Sequence, residues 1–165
     1  MRQWLLTIQE QSAILSAAMA IMHPDMYRTG CEAMVKLGHW LEGTGQEDIL
    51  SVLPIWPSIY NVASVIVNWA SPVHLDIQGC SQWLDLLTTV GEYRDLDLTL
   101  PTIGLRLRYD LGTVVALSGQ LIHHGVDVAG ANRGVVAFYM RGNVHEHLYV
   151  GRCNFMEVNR VPGSQ

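Results

Sequence analysis

A chain of 165 residues, 49% hydrophobic and only 15% charged, is one domain's worth of sequence with enough apolar surface for a sizeable core, which excludes a disordered chain. Its net charge of −5 excludes a protein that grips nucleic acid by a general basic surface, although all its basic residues except Lys36 are Arg, the type suited to bidentate contacts with phosphate and carboxylate. Cys31, Cys80 and Cys153 stand far apart with no C-x-x-C pair, so zinc-knuckle and dithiol redox motifs are excluded and reduced thiols are expected.

At the N-terminus, Gln9, Glu10, Gln11 and Ser12 interrupt the apolar run before the core of a signal peptide is complete. No span approaches the roughly 18 uninterrupted apolar residues of a membrane helix, so an intracellular protein, nuclear or cytoplasmic, is expected. Residues 7–22 carry Ile8, Ile14, Leu15, Ala18, Met19 and Met22 at helical spacing opposite Gln9, Glu10 and Gln11, which predicts an amphipathic helix stopped by His23-Pro24. Asp25 is placed to cap a second helix over 26–37, with Met26, Met34, Val35 and Leu37 as its apolar positions and Gly38 near its end. The Met stripe reads as core. Residues 42–48, Glu-Gly-Thr-Gly-Gln-Glu-Asp, predict a mobile loop.

From Trp56 onward, short β-branched runs are separated by Gly and Pro, predicting strands at 62–68, 84–90, 96–100, 104–109, 113–118, 120–124 and 133–141. Such strands after two helices make an α+β chain and fit a double-stranded β-helix, the jelly roll, with the N-terminal helices buttressing one sheet. Alternation within 104–109 sends Arg106 and Arg108 to one face and Leu105, Leu107 and Tyr109 to the other.

The chemistry concentrates in Ser71-Pro72-Val73-His74-Leu75-Asp76, which follows the apolar run 62–67. If residues 74–76 are extended, His74 and Asp76 share a face. Two His and one carboxylate form a facial triad that leaves three positions of an octahedral iron(II) for a cosubstrate and oxygen. A distant His must complete it. His124 is the candidate, and His123 is its awkward neighbour, because adjacent strand residues face opposite ways. Arg133 is suited to hold the distal carboxylate of 2-oxoglutarate, which needs a bidentate and always charged partner. The triplet alone also fits a solvated strand end; the ordered set of buried strand, H-x-D, second His and Arg carries the oxygenase reading. Asn68 ends the strand upstream, where its amide could bond a base edge or 2-oxoglutarate, or close a turn. His145-Glu146-His147 has the H-x-H spacing of ligands on a strand, and Trp56, Trp69 and Trp83 either pack or stack on a flipped base.

The segments Trp56-Pro57-Ser58, Ser64-Val65-Ile66-Val67-Asn68, Pro72-Val73-His74-Leu75-Asp76, Gly104-Leu105-Arg106-Leu107-Arg108-Tyr109, Gly112-Thr113-Val114-Val115, Leu117-Ser118-Gly119, His124-Gly125-Val126 and Met140-Arg141-Gly142-Asn143-Val144-His145 occur in one order. Together they resemble the TET/JBP-like iron(II)/2-oxoglutarate-dependent dioxygenases of mushroom-forming fungi. The resemblance implies a single dioxygenase domain over 1–165, with a helical part at 1–50 and a jelly-roll core at 54–150. It implies iron(II) held by His74, Asp76 and His124, and 2-oxoglutarate held by Arg133, with oxygen as the other cosubstrate. The substrate it implies is a methyl group on a base of DNA or RNA, 5-methylcytosine favoured and N6-methyladenine possible. It places Asn143 and His145 near the substrate. With that substrate, contacts would come from Asn68 and a local set of Arg106, Arg108, Arg141 and Arg152. Trp69 stands where the family has a basic residue, Leu111 replaces a turn proline, and Gly142 replaces a common acidic residue. The rival readings are an oxygenase with a non-nucleic-acid substrate, a cupin-type metalloprotein, and a non-catalytic domesticated relative. A cupin would need a Glu near Gly79, Cys80 and Ser81, and none is there.

Overall fold

A computed structural model describes residues 2–126 and 132–157, which form two compact units, Met1–Asn61 with Gly142–Gln165 and Val62–Arg141.

The first unit is helical: α1 (Arg2–Thr7), α2 (Gln9–Met22), α3 (Pro24–Thr44), α4 (Glu47–Leu50) and, after a short 3₁₀ turn at Leu53–Ile55, α5 (Gly142–His147). Proline has no N–H to give to α2 but suits the first turn of a new helix, so the break falls at His23-Pro24 as predicted. The cap is His23 and not Asp25, because the His23 Nδ1 accepts the Met26 N–H at 3.4 Å. Helix α3 passes through Gly38 and ends only where Gly45 turns left-handed (φ 66°), with the Gln46 N–H donating to the Leu41 carbonyl at 3.1 Å. The stretch predicted as a loop therefore contains the last turn of α3, its glycine cap and the start of α4. Met19 and Met26 are fully buried, and Ala33 packs with Leu148 and Val150. No helix among the described residues is long and apolar enough to cross a membrane.

Among the described residues the second unit holds eight strands: β1 (Val62–Val67), β2 (Ser71–His74), β3 (Asp85–Gly91), β4 (Asp97–Leu100), β5 (Leu105–Arg108), β6 (Val114–Leu117), β7 (His124–Val126) and β8 (Arg133–Tyr139). They form two four-stranded sheets, ordered β1-β8-β3-β6 and β2-β7-β4-β5, and every pairing is antiparallel. Leu98, Leu100, Tyr109 and Val126 from the second sheet's side share one core with Leu117 and Val135 of the first. The long runs β1 and β8 pair in unbroken register from Val62↔Tyr139 to Val67↔Gly134.

The predicted strand at 120–124 is a turn, closed by the Leu121 and Ile122 N–H groups donating to the Ser118 carbonyl, and the strand there is only His124–Val126. Strand β2, absent from the predicted set, pairs with it through a bulge between Ser71 and His74. Gly125 is required at this bulge, since a Cβ there would lie 2.8 Å from the Ser71 carbonyl oxygen and from the Val73 backbone.

Candidate metal centre

Cross-strand register brings the two histidines together. His74, the last residue of β2, sits opposite His124, the first of β7, with ring centroids 4.4 Å apart. Asp76 lies beyond the strand, so its position does not come from strand alternation; its N–H donates to the Gly119 carbonyl at 2.9 Å, which pins it beside the rings. The ligand atoms of His74, Asp76 and His124 lie within 4.8 Å of one another, and this is the one such cluster found among the described residues.

Hydrogen bonds aim the rings. His74 Nδ1 bonds the Pro72 carbonyl at 2.8 Å and His124 Nδ1 bonds the Ile122 carbonyl at 2.9 Å. A carbonyl only accepts, so both Nδ1 atoms carry a proton, and in the neutral ring that leaves each Nε2 as the lone-pair donor. His74 Nε2 lies 3.5 Å from Asp76 Oδ1, and His124 Nε2 lies 3.5 Å from Asp76 Oδ2. Neighbouring ligands of an octahedral ion at about 2.1 Å sit about 3 Å apart, so small movements would close the set on a metal. Burial holds the His124 pKa below its ordinary value, favouring the neutral imidazole that ligation needs. His123 faces elsewhere, its Nδ1 3.1 Å from Thr102 Oγ1.

The triad opens on a cavity of about 380 Å³ inside the second unit, within the roughly 300–1,000 Å³ range of small-molecule sites. Alternation along β8 turns Arg133, Val135, Ala137 and Tyr139 into it. Arg133 is 4% exposed, its guanidinium lies over the Tyr109 ring at 5.6 Å, and one of its terminal nitrogens donates to the Trp69 carbonyl at 3.0 Å. Arg133 Nε and the Tyr109 hydroxyl are buried without a hydrogen-bond partner among the described residues. A buried guanidinium left unfinished on the wall of a cavity is a seat for a carboxylate.

Asp85, the first residue of β3, also lines this cavity and is not among the sequence-predicted residues. Burial, and then the charge of Asp76, push its pKa up to about 7, against a hydrogen bond from the Gly119 backbone. The sequence signal was an acid inside the apolar run Trp83-Leu84-Asp85-Leu86-Leu87.

The other predicted residues are dispersed. Asn68 is left-handed (φ 52°); its N–H donates to the Arg133 carbonyl at 2.8 Å and its side-chain oxygen accepts the Arg133 N–H at 2.9 Å, so its amide closes the turn and is not presented to the cavity. Arg106 and Arg108 lie on β5 outside the cavity lining, and Arg108 is engaged by Asp95, Asp97 and Asp110 at 3.2, 3.8 and 3.7 Å. Arg141 lines the cavity, 3.3 Å from the Tyr139 hydroxyl. Asn143 and His145 belong to α5 in the helical unit, which corrects the strand reading of H-x-H: on a helix His145 and His147 do not share a face. Arg152 pairs with Glu146 in the same unit. Trp83 is buried, whereas Trp69 is 67% exposed on the cavity rim.

Two histidines and one carboxylate with an open face, beside a carboxylate seat between antiparallel sheets, are the donor set of a non-haem iron oxygenase. Sequence comparison agrees with that class. The family model Tet_JBP, the oxygenase domain of the 2OGFeDO superfamily, matches residues 2–142, and the chain belongs to this family. None of the curated proteins compared matches the chain. The superfamily implies iron(II) and 2-oxoglutarate, with oxygen as the second cosubstrate, and the residues present fit both groups: the lone pairs of two oriented imidazoles and a carboxylate for the metal, the unfinished guanidinium for the acid.

Proposed function

We propose that the chain is an iron(II)/2-oxoglutarate-dependent dioxygenase with a jelly-roll core that oxidises a methyl group on a nucleic-acid base, 5-methylcytosine first and N6-methyladenine second. The observation that carries the chemistry is the paired orientation of His74 and His124, each ring locked through Nδ1 with Nε2 turned to one oxygen of Asp76, in the cavity where Arg133 waits for a carboxylate. The jelly roll is supported by the strand order, in which each sheet alternates one of the first four strands with one of the last four.

When bound, iron and 2-oxoglutarate supply the insertion of one oxygen atom into a C–H bond, with succinate and carbon dioxide as the other products. The chain supplies position. His74, Asp76 and His124 would hold the metal through two imidazole nitrogens and a carboxylate oxygen. Arg133 would hold the far carboxylate of the cosubstrate, and Leu87, Leu98, Val135 and Ala137 keep the walls between apolar, which excludes water. Exposed Ile77, next after Asp76 on the rim, offers an apolar surface suited to a flat ring taken out of its stack.

The test offers duplexes containing 5-methylcytosine or N6-methyladenine with iron, ascorbate and 2-oxoglutarate across a salt series, reading succinate and modified nucleosides. Hydroxymethylcytosine should form, and about three phosphate contacts would give a slope of log affinity on log salt near −3. Asp76→Ala should abolish it. Demethylated adenine would keep the chemistry and change the base; succinate without any modified base would sink the nucleic-acid substrate.

A further inference from the structure

Asp76 and Asp85 are the only acids among the described residues that line the cavity, and both converge on Gly119. A Cβ at Gly119 would lie 2.7 Å from an Oδ2 of each, so the two carboxylate oxygens are no more than 2 × 2.7 = 5.4 Å apart. The Gly119 carbonyl accepts the Asp76 N–H, and its own N–H bonds Asp85. Asp85 is therefore held beside the metal seat without being part of it.

Its side of the seat is set by the β3/β8 ladder. That ladder runs from Leu86↔Phe138 to Gly91↔Arg133, which puts Asp85 at the end opposite Arg133, six residues and about 20 Å away along β3. A cosubstrate reaching from the metal toward Arg133 leaves the Asp85 side of the seat free for the molecule being oxidised.

We infer that Asp85 is a specificity-determining residue, a hydrogen-bond acceptor that selects a substrate carrying an N–H donor on the atom next to the one bearing the methyl group. The inference rests on the nucleic-acid reading above and sharpens it. In 5-methylcytosine the exocyclic amine stands on the ring carbon beside the methylated one, so a methyl held at the metal brings an N–H to an acceptor alongside. Thymine has the same methyl but presents a carbonyl oxygen there, and two acceptors face each other. A buried polar group left unpaired is what makes such discrimination large.

The experiment measures kcat/KM for wild type and Asp85→Asn on duplexes that differ at one position: 5-methylcytosine, thymine, or 5-methylpyrimidin-2-one, which keeps ring and methyl and lacks the amine. Mn(II) affinity is read in parallel. Wild type should favour 5-methylcytosine over each of the others by about 30-fold or more, which at 1.4 kcal/mol per factor of ten is about 2 kcal/mol of recognition at one base edge. Asp85→Asn, whose amide can turn an N–H toward a carbonyl, should narrow the thymine gap by about ten-fold or more with Mn(II) affinity unchanged. Wild type treating 5-methylcytosine and 5-methylpyrimidin-2-one alike would overturn the inference without any variant. So would an unchanged cytosine-to-thymine ratio in Asp85→Asn, or a ten-fold loss of Mn(II) affinity, which would make Asp85 a support for Asp76. Oxidation of none of the three bases by wild type would instead fell the nucleic-acid reading on which the inference stands.

Discussion

Replacing Gly119 with Ala inserts one methyl group into the narrowest place at the metal site. The added Cβ would sit 2.7 Å from Asp76 Oδ2, 2.7 Å from Asp85 Oδ2 and 3.1 Å from Asp76 Cβ. Cβ atoms essentially never approach closer than 3.0 Å, so each oxygen must retreat by at least 3.0 − 2.7 = 0.3 Å, and by 0.7 Å to reach ordinary contact at 3.4 Å. Rotating the Asp76 carboxylate does not clear the Cβ contact, and the Asp76 backbone is itself bonded to the Gly119 carbonyl, so the residue must move as a whole. Metal–ligand distances tolerate about 0.2 Å. Overpacking of this kind costs about 1–3 kcal/mol, and each 1.4 kcal/mol is tenfold in affinity, so Mn(II) binding should weaken by about 5- to 140-fold. The assay is anaerobic calorimetric titration of Mn(II), with circular dichroism melting to show that the variant is folded. Mn(II) affinity within two-fold of wild type in a folded Gly119→Ala protein would refute the placement of Asp76 as a ligand.

Arg133→Lys keeps the charge but loses the fork, and should raise the 2-oxoglutarate concentration for half-maximal turnover by about ten-fold or more, the equivalent of at least about 1.4 kcal/mol; unchanged cosubstrate affinity would point to another anchor. His145 is buried, and burial lowers its pKa against the opposing charge of Glu32. The unfolded chain therefore takes up a proton near pH 6.5 that the folded protein refuses, so stability is complete above that pH and lost as pH falls below it. His145→Gln should flatten that loss by up to about 1.4 kcal/mol per pH unit, read from urea melts at pH 7.5, 6.5 and 5.5; an unchanged slope would refute the assignment.

What could be read in the sequence was what is local. The apolar, β-branched runs at 62–67 and 133–139 announce two strands, and H-x-D with a distant His-Gly and Arg names the residues that the structure gathers around one cavity. The misses share a cause in partners distant along the chain. Strand β2 contains a proline and a bulge, and becomes a strand only by pairing with β7 some fifty residues later. The Asp76 position depends on Gly119, and the importance of Asp85 depends on the same glycine, with no periodicity linking the three. Helix α3 outruns Gly38 because a single interior glycine costs only about 1 kcal/mol against Ala, less than the burial of Leu41 returns. The His145-Glu146-His147 spacing fits a strand or a helix equally until α5 decides it.

The reciprocal bonds of Asn68 hold the Arg133 backbone, and the Trp69 carbonyl takes a guanidinium N–H, so the long side chain is restrained at both ends before any ligand arrives. An unrestrained Arg gives up about 1.5–2 kcal/mol of rotamer entropy when it grips an acid; here that loss is incurred on folding and does not recur on binding. Residues 68–70 and the start of β8 consequently behave as one mechanical part. Loosening the turn would shift half-saturation by 2-oxoglutarate even where the altered residue touches nothing in the cavity, and substitutions at Asn68 and Arg133 would combine non-additively in a double-mutant cycle. Exposed as it is, the turn serves as the hinge pin of a buried charge.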